Sequence, residues 1–190
     1  MSRAKTAFFA AALCLAAIPA FAGQSVPLGP FRAIQLEGGG QIVVRHGAAQ
    51  SVTLVKGSTE FTTLEVRPDG TLVIEACNDR CPHQYDLAIE IVVPQIEAVA
   101  VKGGGAIRLE SGFPAQREFD AAIAGGGSVD GRAVSAQSVN AAVNGGGHVQ
   151  VTANGALNAA VNGGGHILYW GQADVHQAVS GGGSIARGGE

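Results

Sequence analysis

The second half of the chain alternates apolar with small or polar residues, in segments that each contain a Gly triplet. Residues 139–149 read VNAAVNGGGHV, and residues 157–167, 18 positions later, read LNAAVNGGGHI. Looser copies occupy residues 119–129 and 175–185. We call each such segment a triplet unit. A spacing near 20 residues predicts a solenoid, because each unit cannot bury its apolar face alone and must stack on its neighbours.

Each triplet unit is predicted to be two strands joined by a glycine corner. Every second residue before the triplet is apolar, and a β-branched residue such as Val149 or Ile167 follows it after one spacer. This period of two predicts strands, and a tight corner favours glycine. Stacked strands lie about 4.8 Å apart, so like side chains should form columns. The predicted columns are Asn140 over Asn158, Asn144 over Asn162, and His148 over His166.

The first half of the mature chain is rich in predicted strands but less repetitive. A triplet at 38–40 resembles the later ones, yet the next triplet comes only at 103–105. We expect one domain over residues 23–190, with an irregular β-rich half at 23–100 that caps the N-terminal end of the regular coils at 101–190.

Four segments in the long gap between those triplets are predicted strands because they are rich in β-branched and aromatic residues. They are residues 51–56, 62–67, 71–75 and 85–93. The sequence Pro68-Asp69-Gly70 between the second and third is typical of a tight turn. Those two strands are therefore expected to form an antiparallel hairpin.

The first 22 residues predict a secretory signal peptide. Arg3 and Lys5 precede an apolar run at 7–18, and Ala20-Phe21-Ala22 is a small-x-small cleavage site. A lipoprotein signal cleaved before Cys14 is the alternative, while an uncleaved membrane anchor is disfavoured because the run is short. We expect an exported protein, periplasmic, at the cell surface or secreted, without a transmembrane segment in the mature chain.

The charge balance argues against nucleic acid as a partner. The chain has 12 Lys and Arg and 15 Asp and Glu, and removal of the signal peptide leaves 10 against 15. A nucleic-acid-binding surface would need a basic patch. No cofactor is expected either, because the triplets lack the Lys-Ser/Thr of a phosphate-binding loop and the nine-residue period of calcium-binding β-rolls.

Cys77 and Cys81 are the two cysteines of the mature chain. In an exported protein such a pair predicts a disulfide. In a straight strand their Cα atoms would be roughly 13 Å apart, so the segment must fold back as a loop. A Cys-x3-Cys-x-His metal site with His83 is the alternative, but it lacks a fourth ligand.

Asn144, His148, Asn162 and His166 are the candidate ligand-binding residues. Their columns would flank the glycine corner and offer hydrogen bonds to a glycan. The two histidines could also share a metal ion, although solvated polar residues at a corner are the simpler interpretation. We predict no metal site. Asn140 with Asn158, and Asn144 with Asn162, are expected to form side-chain amide ladders.

The acidic residues of the coils give little basis for catalysis. Polysaccharide lyases and hydrolases use clustered carboxylates, and none of the acids here shares a column with another. We assign no catalytic residues. The acids considered are Glu110, Glu118, Asp120, Asp130 and Asp174.

Several segments together resemble the bacterial family called "putative auto-transporter adhesin, head GIN domain", a domain of unknown function. They are the early Phe-x-x-Ile-x-Leu-x-Gly-Gly strand from Phe31, the Pro-Asp-Gly-Thr-Leu-Val-Ile hairpin, residues 89–94 and the Val-x-Gly-Gly-Gly coils. The resemblance implies a right-handed parallel β-helix-like fold and an exported, surface-exposed protein. It implies no catalytic residues.

Two functions follow as expectations. The first is a non-enzymatic, adhesin-like binding module of the envelope or surface, which meets a glycan or an envelope protein through its polar coil faces. The second is an enzyme, a lyase or hydrolase of envelope polysaccharide. The last coil has Gln177 and Arg187 at inward positions and is followed by Gly188 and Gly189. An open end of this kind favours self-association or docking of a partner.

Overall fold

The computed structural model describes residues 23–189, which contain strands and loops and no helix. The predicted signal peptide at 1–22 lies outside the described residues. The all-β class is therefore confirmed for this part of the chain. The strands are β1 Gln24–Ser25, β2 Ala33–Gly38, β3 Gln41–His46, β4 Ser51–Lys56, β5 Thr63–Val66, β6 Thr71–Glu75, β7 Ala88–Val93, β8 Ala98–Gly103, β9 Ala106–Leu109, β10 Gln116–Gly125, β11 Ser128–Gly145, β12 His148–Gly163, β13 His166–Trp170, β14 Asp174–Ser180 and β15 Ser184–Arg187.

Two stacks of strands meet at the long strands β11 and β12. One stack contains the strands that precede a triplet, extended by the hairpin, and has the order β5, β6, β2, β8, β10, β11, β12, β14. The other contains the strands that follow a triplet, extended by β7, β4 and β1, and has the order β1, β4, β7, β3, β9, β11, β12, β13, β15. Each Gly triplet is therefore a corner between the two stacks, as its sequence predicts.

The sheet is mixed rather than wholly parallel. The pairs β1 with β4, β4 with β7, and β5 with β6 are antiparallel, and the other described pairs are parallel. All antiparallel pairs among the described strands lie within residues 23–93, and the capping role expected for this half stays a prediction. The right-handed β-helical winding implied by the family resemblance stays a prediction.

The expected hairpin is confirmed. Strand β5 pairs antiparallel with β6, and Val66 lies opposite Leu72. The turn is closed by a 3.0 Å hydrogen bond from Gly70 N to Arg67 O, and Asp69 Oδ1 accepts one of 2.9 Å from Thr71 N. Strand β6 of the hairpin pairs in parallel with β2, the strand that leads into the triplet at 38–40.

Residues of successive triplet units stack in register. Gly125 lies opposite both Gly103 and Gly145, and Gly145 lies opposite Gly163. The predicted columns of Asn140 with Asn158, Asn144 with Asn162, and His148 with His166 are confirmed. The first triplet also joins this stack, because Gly38 lies opposite Gly103.

One core cluster runs through both halves of the described chain, and in the triplet units it is made of three inward columns from the strands before the triplets and of the β-branched residues after them. These side chains are buried because their neighbours in the units on either side cover them. The first column is Phe119, Val139 and Leu157; the second is Ala121, Ala141 and Ala159; the third is Ile123, Val143 and Val161. Val129, Val149 and Ile167 close the core from the other stack.

The predicted disulfide is present between Cys77 and Cys81, whose Cα atoms are 5.5 Å apart. The segment folds back as expected, with a 3.1 Å hydrogen bond from Cys81 N to Asn78 O. Asn78 ties this loop to its neighbour through Nδ2 and Glu60 O, at 2.8 Å. The disulfide occupies both sulfurs, so the alternative metal site with His83 is wrong.

The last triplet unit is covered on one side only. Within residues 23–189, β14 pairs with β12 alone and β15 with β13 alone. The relative exposure of Val179 is 46%, against 2% for Val161 in the same inward column. Gln177 and Arg187 lie opposite Ala159 and Tyr169, as the sequence predicts.

Candidate functional site

A shallow groove crosses four triplet units on the outer face of the strands that precede the triplets. An alanine stands at the same outward position of each unit, and the four are exposed and in register. The methyl group is the smallest side chain after glycine, so this column lies lower than its neighbours. The alanine column is Ala122, Ala142, Ala160 and Ala178.

One wall of the groove is a hydrogen-bonded polar column. Asn158 Nδ2 donates a 2.9 Å hydrogen bond to Asn140 Oδ1 in the unit before it. Asn140 Nδ2 in turn lies 2.7 Å from Asp120 Oδ1 and 3.3 Å from Glu118 Oε1. The predicted Asn140–Asn158 ladder is thus confirmed, and it begins at carboxylates. His176 lies opposite Asn158 and completes the column.

A second polar column runs along the far side of the alanines. Its members stand two residues beyond each alanine, on the same outward side of their strands. Asn144 and Asn162 are in register, flanked by Ala124 and Ser180 in the units on either side. Asn144 and Asn162 therefore lie on the same face one outward position beyond the alanines, and they are not among the residues that line the groove.

The histidine column lies across the glycine corner from the groove. His148 and His166 are both exposed, with ring centroids 5.2 Å apart and ring planes inclined at 48°. His166 Nδ1 is 2.8 Å from Ser184 Oγ. Neither histidine lines the groove, so the four predicted site residues divide between two adjoining faces.

The histidine column brings together two potential metal ligands, His148 and His166. Among residues 23–189, no three His, Cys, Asp or Glu side chains converge to hold an ion. A structural zinc site takes four protein ligands and a catalytic site three. That these imidazoles bind no metal stays a prediction.

The pairing of Glu118 and Asp120 was not predicted from the sequence. Both carboxylates contact the same amide nitrogen of Asn140, although neither shares a column with another acid. The signal was present, because Asp120 occupies in residues 119–129 the position that Asn140 occupies in 139–149. One end of the groove is consequently acidic.

Several charged side chains on the face that follows the triplets form ion pairs with one another. Arg45 bridges Glu90 and Glu110, each at 2.7 Å. Arg132 contacts Asp130 through Nη2 at 2.7 Å and Nε at 2.9 Å.

The pairing of Asp130 and Arg132 also shifts their protonation equilibria. The hydrogen bonds from Arg132 hold the pKa of the Asp130 carboxyl below its usual value, although partial burial opposes this. The same contacts raise the pKa of Arg132. This face offers no cluster of free cations among the described residues that could attract an anion.

The sequence family described as "Putative auto-transporter adhesin, head GIN domain" matches residues 30–118 and 115–173, most of the chain. The chain belongs to this family. The expectation raised by the strand and triplet motifs is thereby confirmed. The match ends within the triplet units, so it includes the units with Asn144 and Asn162 and stops before the last one.

Solved structures described as adhesins are similar to this head GIN domain, and the first of them shares its fold. A putative adhesin from Bacteroides fragilis is 17% identical with a TM-score of 0.54, and the match covers 86% of this chain and 95% of that one. A putative adhesin from Parabacteroides distasonis is 16% identical, with 87% and 96% covered and a TM-score of 0.42. A putative cell adhesion protein from Clostridium sporogenes is 13% identical, with 87% and 100% covered and a TM-score of 0.41.

No curated protein matches the chain. Within residues 23–189, no helix has the length and apolar content needed to cross a membrane.

Proposed function

We propose that this head GIN domain is an exported, non-enzymatic binding module of the cell envelope or cell surface. The groove between the two polar columns is its binding surface, and the partner is a glycan or an envelope protein. The observation that carries the proposal is the alanine column that lines the groove beside Asn140 and Asn158, with Asn144 and Asn162 in register beyond it. Such regularity suits a ligand that is itself a repeating chain.

The binding surface includes the four residues expected from the sequence. Asn144 and Asn162 lie just beyond the alanines on the same face, and His148 and His166 extend the polar surface around the glycine corner. A right-handed parallel β-helical winding of the triplet units belongs to the same proposal. It is supported by the continuous parallel register from β8 to β14.

The enzyme alternative has no observation in its favour. Its carboxylates would have to be Glu118 and Asp120, which lie close together. Both hydrogen-bond to the amide of Asn140, and Glu118 is exposed to solvent. A general acid of a glycosidase is typically a carboxyl held in an apolar pocket. An open, amide-lined surface suits binding better than bond cleavage.

Self-association through the last triplet unit is a second proposal about partners. The unpaired edges of β14 and β15, together with the exposed Val179, support it. Gln177 and Arg187 oppose it, because polar groups at inward positions are a usual protection of sheet edges. We therefore expect this association to be weak.

The direct test is binding of the purified exported protein to envelope fractions, measured by cosedimentation. The variant Ala142→Leu/Ala160→Leu fills the groove at two exposed positions and should lose binding. The matched control is Ala186→Leu, also an exposed strand alanine but on the other face. Equal binding by both variants would show that the groove is not the binding surface.

A further inference from the structure

We propose that the groove takes a linear glycan that is uncharged or carries amino groups, with the sugar chain running along the alanine column and across the strands. This inference rests on the proposed function and names the ligand of the same surface. It depends on the size of the groove, on the charges along it and on the hydrogen-bonding groups of its sides.

The size of the groove argues against a protein as the occupant. Four stacked units and about five residues of each strand give an area of roughly 300 Å². A stable protein interface covers roughly 800 Å² on each partner. The groove also lacks the Trp, Tyr and Arg side chains that anchor most protein interfaces. A narrow chain molecule fits this area better.

The charges along the groove select against anions. In the described part of the chain no Lys or Arg lines the groove, and its first unit carries Asp120 with Glu118 beside it. A phosphate, a uronic acid or an anionic lipid would meet these carboxylates without a compensating cation. An amino sugar at that end would instead gain a charge-assisted hydrogen bond.

The sides of the groove can both donate and accept hydrogen bonds, as sugar hydroxyl groups do. A side-chain amide has two N–H donors and a carbonyl acceptor, and the ladder uses one N–H of Asn158 and the oxygen of Asn140. The oxygen and second N–H of Asn158 are thus left for a ligand. Asn144 and Asn162 offer the same groups from the opposite side.

The alanine floor suits the apolar face of a sugar ring. A flat row of methyl groups gives dispersion contacts without a protruding side chain to block the path. The units repeat about every 4.8 Å, which is close to the length of one residue in an extended β-linked sugar chain. Successive sugars would therefore meet successive Ala and Asn residues in similar surroundings.

Isothermal titration calorimetry with three soluble oligosaccharides of equal length tests this ligand class. The probes are a cello-oligosaccharide, a deacetylated chito-oligosaccharide and an oligogalacturonate, which are neutral, cationic and anionic. We expect the first two to bind and the third to bind at least tenfold more weakly. Ala142→Leu/Ala160→Leu should weaken the first two at least tenfold, and Ala186→Leu should leave them unchanged.

Asp120→Asn separates the charge from the shape of the groove. The variant keeps an acceptor for Asn140, and it should weaken the cationic probe severalfold while the neutral probe changes less than twofold. Equal or tighter binding of the anionic probe would overturn the inference. Failure of all three probes to bind would also overturn the inference. If groove filling nevertheless abolishes envelope binding, the proposed function stands without the glycan as its ligand. If envelope binding itself survives groove filling, the proposed function fails.

Discussion

The first glycine of one triplet lies directly against the first glycine of the next. A β-carbon placed on Gly163 would stand 2.6 Å from the carbonyl oxygen of Gly145, and the φ of Gly163 is +122°. Real β-carbons essentially never approach a backbone oxygen so closely, and L-residues disfavour this φ. The middle glycine differs, because a β-carbon on Gly164 would have nothing within 4 Å. The corner thus needs glycine at some triplet positions and not at others.

Gly163→Ala should therefore destabilise the fold, and Gly164→Ala should not. We expect the first change to lower the free energy of unfolding by about 1–3 kcal/mol, from strain and displaced backbone. The second should stay within about 0.5 kcal/mol of the parent. Urea unfolding followed by circular dichroism measures both. Similar losses in the two variants would mean that the corners do not stack as described.

Asn140→Asp should destabilise the protein in a pH-dependent manner. The new carboxylate would lie against Asp120 and Glu118, in place of an amide that donates to both. We expect a loss of about 1 kcal/mol at pH 7, because like charges face each other on adjacent strands. Near pH 4 the loss should shrink as the introduced carboxyl becomes protonated, because the repulsion then disappears.

The matched control for that change is Asn162→Asp in the other polar column. Its in-register neighbours are Asn144 and Ser180, neither of which carries a charge. Unfolding curves at the two pH values should show little pH dependence of its effect. If the loss of stability depends on pH equally in Asn140→Asp and Asn162→Asp, the carboxylates of Asp120 and Glu118 do not contact residue 140 as described.

Asp130→Asn should remove a contribution to stability that the native protein loses in acid. The pKa of Asp130 is lowered in the folded state by Arg132, so its carboxylate stabilises the fold above the unfolded pKa, near pH 4. That contribution disappears as the pH falls through the folded pKa. The pair is partly exposed, so we expect a difference of about 0.2–1 kcal/mol at pH 7 that vanishes in stronger acid.

Trp170 gives a convenient signal for this measurement. It is the single tryptophan of the chain, and the guanidinium of Arg132 lies 5.3 Å from its ring centroid. Its fluorescence should report unfolding at each pH. Asp174→Asn, which removes an exposed carboxylate without an ion pair among the described residues, is the control. If the free energies of unfolding of Asp130→Asn and the parent differ by the same amount at every pH, the lowered pKa of Asp130 is contradicted.

Gln177→Ala/Arg187→Val should increase self-association. These changes give the last triplet unit the small and apolar residues found at the same inward positions of earlier units, such as Ala159 and Val151. Without polar groups at those positions, the edges of β14 and β15 lose their protection. Sedimentation velocity should show larger species for the variant at equal concentration. An unchanged size distribution would show that these two side chains do not limit self-association through the last triplet unit.

The stacked half of the molecule was predictable because its physics is local and repeated. Alternation of apolar residues fixes which side chains point inward, and the constant spacing aligns Asn140 with Asn158 and His148 with His166. The hairpin was equally accessible, since Pro68-Asp69-Gly70 specifies its turn. The cysteine spacing gave the loop and its disulfide.

The groove and the pairing order of the strands in residues 23–100 were harder to predict from the sequence. Parallel pairing of β3 with β7 joins segments separated by a long stretch of chain, and no local pattern specifies it. The outward alanines resemble the inward ones in sequence, so their role as a floor appears only when the units are stacked. The alignment of Asp120 with Asn140 was visible in the sequence, but the contact of Glu118 with the same amide depends on how the side chains are placed in the stacked units.

The central claim is that ligand binding occurs in the groove of the alanine column. Side-chain amide groups give their own signals in ¹⁵N-correlated NMR spectra, so the asparagines along the groove can be followed individually. On titration with the cello-oligosaccharide, we predict the largest shifts at Asn140, Asn158, Asn144 and Asn162, with smaller ones at His148 and His166. Shifts that leave these four amides unmoved and cluster at the last triplet unit or on the face of Arg45 would contradict the account.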